Sequence, residues 1–404
     1  CVVHVQLQID ISLARFELYD SGHDRIYSLF GDGGIGTRSE KTVRVQSLTV
    51  TTTTYNRMRG LFKAIAMGEH QLRHRVAMAP LTRLRVDEQG VPAPYTPLYY
   101  SQRASDGGLI ITEATLPAEE AGGLPNLPGI FSSSQIQRWR QVVKGVHAKK
   151  GVIFCQLYAL GRVASPHLVT VRGMLDDVYD GNRVTKLSES DIQRYIAHFA
   201  TAAGNAVDGA GFDGVEIHAA NGYLLDQAIQ LSHLRSDAYG GANHLQFPIE
   251  VVDQTQHAIG ERKTGVRISP FSRYQGMRNS SASDHPYALF EPFVRHLVTC
   301  FPRLAYVHFV EGYTEEDVRM GDELKRQIKA AGIPVISNLC YNLDVAHSRA
   351  LHHDEIVAFG KDFVSNPDLP KRIEMGWPLN EPDVSAYYTG GEKGYIDYPF
   401  YEPQ

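Results

Sequence analysis

From Leu61 onward, short apolar runs alternate with longer segments of helical period. The runs are His74–Leu81, Gly108–Thr115, Gly151–Tyr158, Gly211–Ala220, Thr264–Pro270, Leu304–Val310, Ile333–Asn338 and Glu355–Phe359. Near-continuous β-branched runs of this kind suit strands buried on both faces. Between them, Ser134–Lys150, Ser190–Ala210, Leu245–Gly260 and Thr314–Gly332 carry helical spacing. Ser188-Glu189-Ser190-Asp191 and Thr314-Glu315-Glu316-Asp317 read as capping starts. Eight βα units over about 300 residues predict a closed (β/α)8 TIM barrel, an α/β fold. A doubly wound sheet is the runner-up, but it wants fewer strands and a genuine glycine-rich first loop.

The pattern divides the chain into an atypical N-terminal extension, 1–58, and a single barrel domain, 59–404. In the extension, Val2–Ile11 alternates apolar and polar residues like a strand. Gly31-Asp32-Gly33-Gly34-Ile35-Gly36 satisfies GxGxxG, yet no apolar helix start follows and no acidic residue lies about 20 positions on, so it reads as a turn.

Gly211–Gln227, GFDGVEIHAANGYLLDQ, is the most informative stretch. Val215 and Ile217 fall on one face of a strand and Glu216 and His218 on the other. Asn221-Gly222 turns the chain, since both residues tolerate positive φ. His218, Asn221 and Tyr223 then converge at the C-terminal end of a strand, where β/α proteins bind ligands. His and Asn can donate two hydrogen bonds to one oxygen. A phenol with a pKa near ~10 can deliver a proton without being ionised at neutral pH.

The other strand-end positions are mostly uncharged hydrogen bonders, Pro80 to Thr82, Ala114, Gln156 and Asn338, joined by the cations Arg267 and Lys361. Such a site suits a neutral heterocycle with an anionic tail. No histidine or carboxylate cluster has metal spacing, no GxSxG occurs, and no metal is expected. The net charge of −5 gives no reason to expect a nucleic-acid partner. No apolar window approaches membrane-spanning length. The four cysteines lack CxxC spacing, which fits a reducing, cytoplasmic setting.

HxxNGYLLDQ resembles the active-site signature of the old yellow enzyme family, the flavin-dependent ene-reductases. Further segments in the family's order extend the resemblance over Leu61–Tyr401: HRVAMAPLTR, ITEAT, AGGLPNLPGIFS, FCQLY, GVRISPF, FVSNPDLP and KGYIDYPFY. The resemblance implies bound FMN, reduced by NADPH or NADH, that in turn reduces the C=C bond of a small-molecule enone or enal. It assigns Thr82 to the flavin carbonyl beside N5, and Pro80 and Ala114 to backbone contacts with the ring. Gln156 would meet the pyrimidine edge, and Arg267 would lie near N1. Asn338, Gly360 and Lys361 belong to the cofactor's phosphate side. His218 and Asn221 would hold the substrate oxygen, Tyr223 would be the proton donor, and Tyr395 a substrate-side aromatic.

The sequence departs from the family pattern at four places. Leu339-Cys340 stands where the phosphate loop commonly carries Gly-Gly, and Gly360-Lys361 where it reads Gly-Arg. Tyr158-Ala159 replaces Trp-His, and the stretches after Arg162 and Gly241 are short. The alternatives weighed are an FMN-dependent isomerase of a secondary-metabolite pathway and a degenerate barrel that no longer binds flavin. A monomer or homodimer is expected.

Overall fold

The computed structural model describes residues 60–277, 285–339 and 341–403, together with two short strands, Glu17–Leu18 and Tyr27–Ser28, which pair antiparallel. The Val2–Ile11 strand, the Gly31–Gly36 turn and Cys340 lie outside the described residues. The chain divides into two units, Cys1–Arg59 and Gly60–Gln404.

In the second unit all eight apolar runs become strands of one closed parallel barrel. They are β1 (Val76–Met78), β2 (Leu109–Ile111), β3 (Val152–Leu157) and β4 (Gly214–Ala219), then β5 (Thr264–Ile268), β6 (Tyr306–Val310), β7 (Val335–Asn338) and β8 (Ile356–Phe359). Val357 of β8 pairs with Val76 of β1 and closes the ring. Each strand is shorter than its apolar run: in β1 to β5 the run's last residues leave the ladder for the barrel mouth, and in β6 to β8 its first residues precede the strand.

The four anticipated helices form as α2 (Ser133–His147), α3 (Glu189–Gly204), α5 (Gln246–Ile259) and α7 (Glu315–Ala330), with α1 (Thr96–Arg103) and α4 (Leu224–Leu231) interleaved among them. Both proposed capping boxes are present: Ser188 accepts from the Asp191 amide, and Thr314 from the Asp317 amide. Each cap satisfies a backbone donor that helix geometry leaves unpaired. Three further helices, α6 (Pro286–Cys300), α8 (Leu343–His352) and the short α9 (Lys361–Ser365), complete the elements used below.

The period of two along each strand sorts its side chains. Outward residues such as Val215, Ile217, Val266 and Val307 join the large core beneath the helices. Inward residues, among them Phe154, Tyr306, Ile336 and Ile356, fill the lower barrel, and Met67 and Leu72 of a hairpin (Ile65–Met67 with His70–Leu72) pack with them. Gly265 makes room there, since a Cβ would sit 2.6 Å from the Tyr306 ring. Apolar packing therefore occupies the lower barrel and leaves polar chemistry to the C-terminal rim.

Candidate active site

Strand register assembles the polar layer. Glu216 lies opposite Gln156, His218 opposite Arg267, and Arg267 opposite His308. All five are buried. Glu216 accepts from Gln156 Nε2 at 2.6 Å and pairs with His308 Nδ1 at 2.8 Å. Burial opposes the Glu216 charge, but His308, the nearby Arg267 guanidinium and the Gln156 donor outweigh it and hold the carboxyl below its ordinary range. Burial also holds His308 below its usual value. The neutral ring donates Nδ1–H to Glu216, and its buried Nε2 has no hydrogen-bond partner, as an unprotonated nitrogen tolerates.

Above this layer stands His218. Burial, with Arg267 and His308 adding to it, pushes its pKa well down, so the imidazole is neutral. Its Nδ1 is buried without a partner. A proton there would be stranded, so the ring carries its hydrogen on Nε2. The His218 ring meets Tyr223 edge-on at 5.1 Å between centroids and lies near-parallel to Tyr158 at 6.2 Å. Tyr158 closes the group with an edge contact to Tyr223 at 5.1 Å.

The turn between β4 and α4 places Asn221 and Tyr223. Asn221 adopts φ 57°, as its residue type permits, and its amide donates to Ser269 Oγ at 2.7 Å. Asp226 Oδ2 takes the Gly222 amide at 2.7 Å, and Gln227 Nε2 donates to the Gly222 carbonyl at 2.8 Å. The last two residues of the motif thus brace the turn that carries its middle. Tyr223 is the residue immediately before α4, and burial raises its phenol pKa above the ordinary value. The phenols of Tyr274 and Tyr388 lie within electrostatic reach of it.

Arg267 is buried and donates through Nη2 to Asn338 Oδ1 at 2.9 Å, while its Nε has no partner. Asn338 spends its amide nitrogen on the Ala358 carbonyl at 2.8 Å. The Asn338 side chain therefore orients Arg267, a role the sequence did not suggest. Pro80 and Thr82 follow β1 half-buried, and Ala114 follows β2 buried. Gly360 directly follows β8, and Lys361 is exposed at the first position of α9.

Tyr395 is placed differently from the expectation of a substrate-side aromatic. It is fully buried, stacked on Tyr99 at 3.9 Å and covered by the Arg83 and Arg85 guanidiniums at 5.1 and 4.6 Å. Stacking and cation–π packing hold it in the C-terminal segment's core contact. Tyr388, which the sequence reading passed over, is exposed near Tyr223 instead. It sits in a segment of tyrosines and glycines that carries no periodic signal.

These residues fit a flavin. A buried guanidinium with an unspent Nε–H calls for an acceptor. Gln156, with its nitrogen committed to Glu216, offers its carbonyl to a ring N–H. Among the described residues no group of His, Cys, Asp or Glu could hold a metal ion, and no helix is long and apolar enough to cross a membrane.

Comparison with known proteins agrees. Residues 60–380 match the NADH:flavin oxidoreductase / NADH oxidase family. The chain is 42% identical over 365 residues to the chanoclavine-I aldehyde reductase fgaOx3 of Penicillium roqueforti, covering 85% of this chain and 97% of that one. It is 38% identical over 357 residues to the aldehyde reductase FrzD of Cladobotryum, covering 84% and 94%. A relative from Claviceps fusiformis, 38% identical over 84% of this chain and 94% of its own, is named a probable inactive dehydrogenase, easA. Among solved structures, the Old Yellow Enzyme from Pichia sp. AKU4542 superposes with a TM-score of 0.79 at 34% identity, covering 85% of this chain and 95% of that one. Morphinone reductase does so with a TM-score of 0.76 at 34% identity, covering 85% and 96%. The barrel, the polar rim and these relatives together establish that the chain belongs to the NADH:flavin oxidoreductase family of old yellow enzymes and is an oxidoreductase.

Proposed function

We propose that this protein is an ene-reductase acting on α,β-unsaturated aldehydes or ketones, with FMN as its resident cofactor and NADPH or NADH as donor. Bound FMN would supply hydride chemistry between the nicotinamide donor and the substrate's β-carbon. His218 Nε2–H and the Asn221 side-chain amide bind the carbonyl oxygen and stabilise the negative charge that grows on it during transfer. Tyr223 delivers a proton to the α-carbon, so the alkene gains two hydrogens in all. Gln156 and Arg267 would hold the ring edge, and the fixed guanidinium would favour the negative charge of reduced flavin. Thr82 would meet the flavin carbonyl beside N5, Pro80 and Ala114 would make backbone contacts with the ring, and Gly360 and Lys361 would serve the phosphate.

The observation that carries this reading is the contact between a neutral His218 and a protonated Tyr223 on the barrel rim. Two relatives named aldehyde reductases point toward enals. The Tyr223 donor favours net reduction over isomerisation, since an isomerase has to return the hydride rather than complete the reduction.

The test is direct. Purified protein should carry flavin absorbance, consume NADPH with cyclohexenone or cinnamaldehyde, and yield products heavier by two hydrogens. A flavin-loaded protein that oxidises NADPH in air but leaves every enone, enal and maleimide unreduced refutes the proposal.

A further inference from the structure

Arg162 occupies the 3-10 turn Gly161–Val163 just beyond β3. Its side chain is nine-tenths buried. Nη2 donates to the carbonyl oxygens of Gln275 at 3.1 Å and Gly276 at 3.3 Å. Its backbone is fixed in turn, because the Arg162 amide donates to Gln227 Oε1 at 3.2 Å. Gln227 is the same residue that braces the Gly222 carbonyl.

The segment Arg162 grips lies against the proton donor's turn. A Cβ built on Gly222 would stand 2.7 Å from Gln275 Cβ and 2.9 Å from the Tyr274 carbonyl oxygen. Gln275 is held at φ 54°, a left-handed conformation unusual for a side chain with a γ-methylene. From there its side-chain amide offsets part of the rise that burial imposes on the Tyr223 phenol. Gln275 Oε1 is buried without a partner.

Two other contacts of Arg162 do not account for its placement. Asp177 lies 3.6 Å away and is half-exposed, a geometry worth little. The Tyr179 ring, at 4.8 Å, packs the guanidinium but does not need its hydrogen bonds.

We propose that Arg162 is a positioning residue for proton delivery: by pinning the Gln275–Gly276 backbone against Gly222 it fixes the turn that carries Tyr223. This rests on Tyr223 being the proton donor.

The holoenzyme distinguishes the possibilities through three stopped-flow rates: flavin reduction by NADPH, reoxidation by cyclohexenone, and reoxidation by benzoquinone, whose oxygens take protons from solvent. Arg162→Met and Gln275→Gly should slow the cyclohexenone step roughly tenfold to a hundredfold. The other two rates should stay at wild-type values, and the solvent isotope effect on the cyclohexenone step should rise. Gln275→Gly relieves the left-handed backbone, so its loss of rate reports the lost side-chain packing against Gly222. Arg162→Lys, with one carbonyl contact recovered, should fall between. A uniform fall in all three rates, or a wild-type cyclohexenone rate in Arg162→Met and Gln275→Gly, overturns the inference. If Tyr223→Phe slows the cyclohexenone step while these two variants do not, only the positioning role fails. If Tyr223→Phe itself reduces cyclohexenone at the wild-type rate, the proton-donor reading fails and takes this one with it.

Discussion

Gly222→Ala tests whether the β4–α4 turn is held as tightly as the geometry indicates. Gly222 has φ 76°, where an L side chain costs roughly 1–2 kcal/mol. The new methyl would also meet Gln275 Cβ at 2.7 Å and the Tyr274 carbonyl at 2.9 Å, and one of those atoms is backbone. Because Arg162 fixes that backbone, the loop cannot yield freely, and overpacking of this kind costs roughly 1–3 kcal/mol. The total is about 2–5 kcal/mol, or a melting-temperature loss of about 4–10 °C at roughly 2 °C per kcal/mol. Gly332→Ala is the control. Gly332 has φ 81° but nothing within 4 Å of a built Cβ, so it bears the conformational cost alone. Differential scanning fluorimetry of both variants as holoenzymes should show Gly222→Ala the lower by several degrees, with its enone step slowed as the loop shifts. Equal losses in the two variants would refute the close approach of the Tyr274–Gly276 loop.

Three other outcomes are expected. Tyr223→Phe keeps the ring contacts with His218 and Tyr158 but removes the acid; its cyclohexenone step should fall by roughly 10²–10⁴ while flavin reduction by NADPH is unchanged, as stopped-flow absorbance will show. Since burial raises the Tyr223 pKa, the wild-type enone step should be flat between about pH 6 and 9; a decline with a midpoint near neutrality would point to a different acid. Burial also lowers His74 from 6.5 to about 4. Its neutral form therefore stabilises the fold fully above pH 6.5, and about 3 kcal/mol is lost as pH falls toward 4. A His74→Gln protein should show a flatter melting-temperature profile over that window, and parallel profiles would contradict the assignment.

What the sequence made legible follows from which interactions are local. The eight strands were readable because burial on both faces writes a continuous apolar run, and the caps at Ser188 and Thr314 because a cap is a four-residue event. His218, Asn221 and Tyr223 were readable because one strand and one turn carry all three. Partnerships across the barrel were not. Asn338 orients Arg267 from 71 positions away, and Glu216 joins Gln156 to His308 across three strands. Each is set by strand register, and no single-sequence period encodes register between strands far apart in the chain. Tyr395 shows the converse: its motif was plain, yet its surroundings place it against Tyr99 and two arginines contributed by distant segments.

The same distinction explains why the rim can take a flavin despite the altered loop at Leu339. In the proposed site, contact with the ring edge would depend on Arg267 and Gln156, and each is held by a buried partner, Asn338 or Glu216, rather than by the loop. Glu216 does two things at once. It takes the Gln156 amide nitrogen, and it balances the Arg267 charge inside the barrel. A cation so balanced can remain buried while the ring is oxidised and neutral, and still attract the negative charge that arrives with hydride. Among the described residues, the proposed phosphate side shows no comparable brace: Lys361 is exposed at the start of a five-residue helix. Substitution there should therefore change how tightly the cofactor is held, and substitution at Glu216 should change how its ring behaves once reduced.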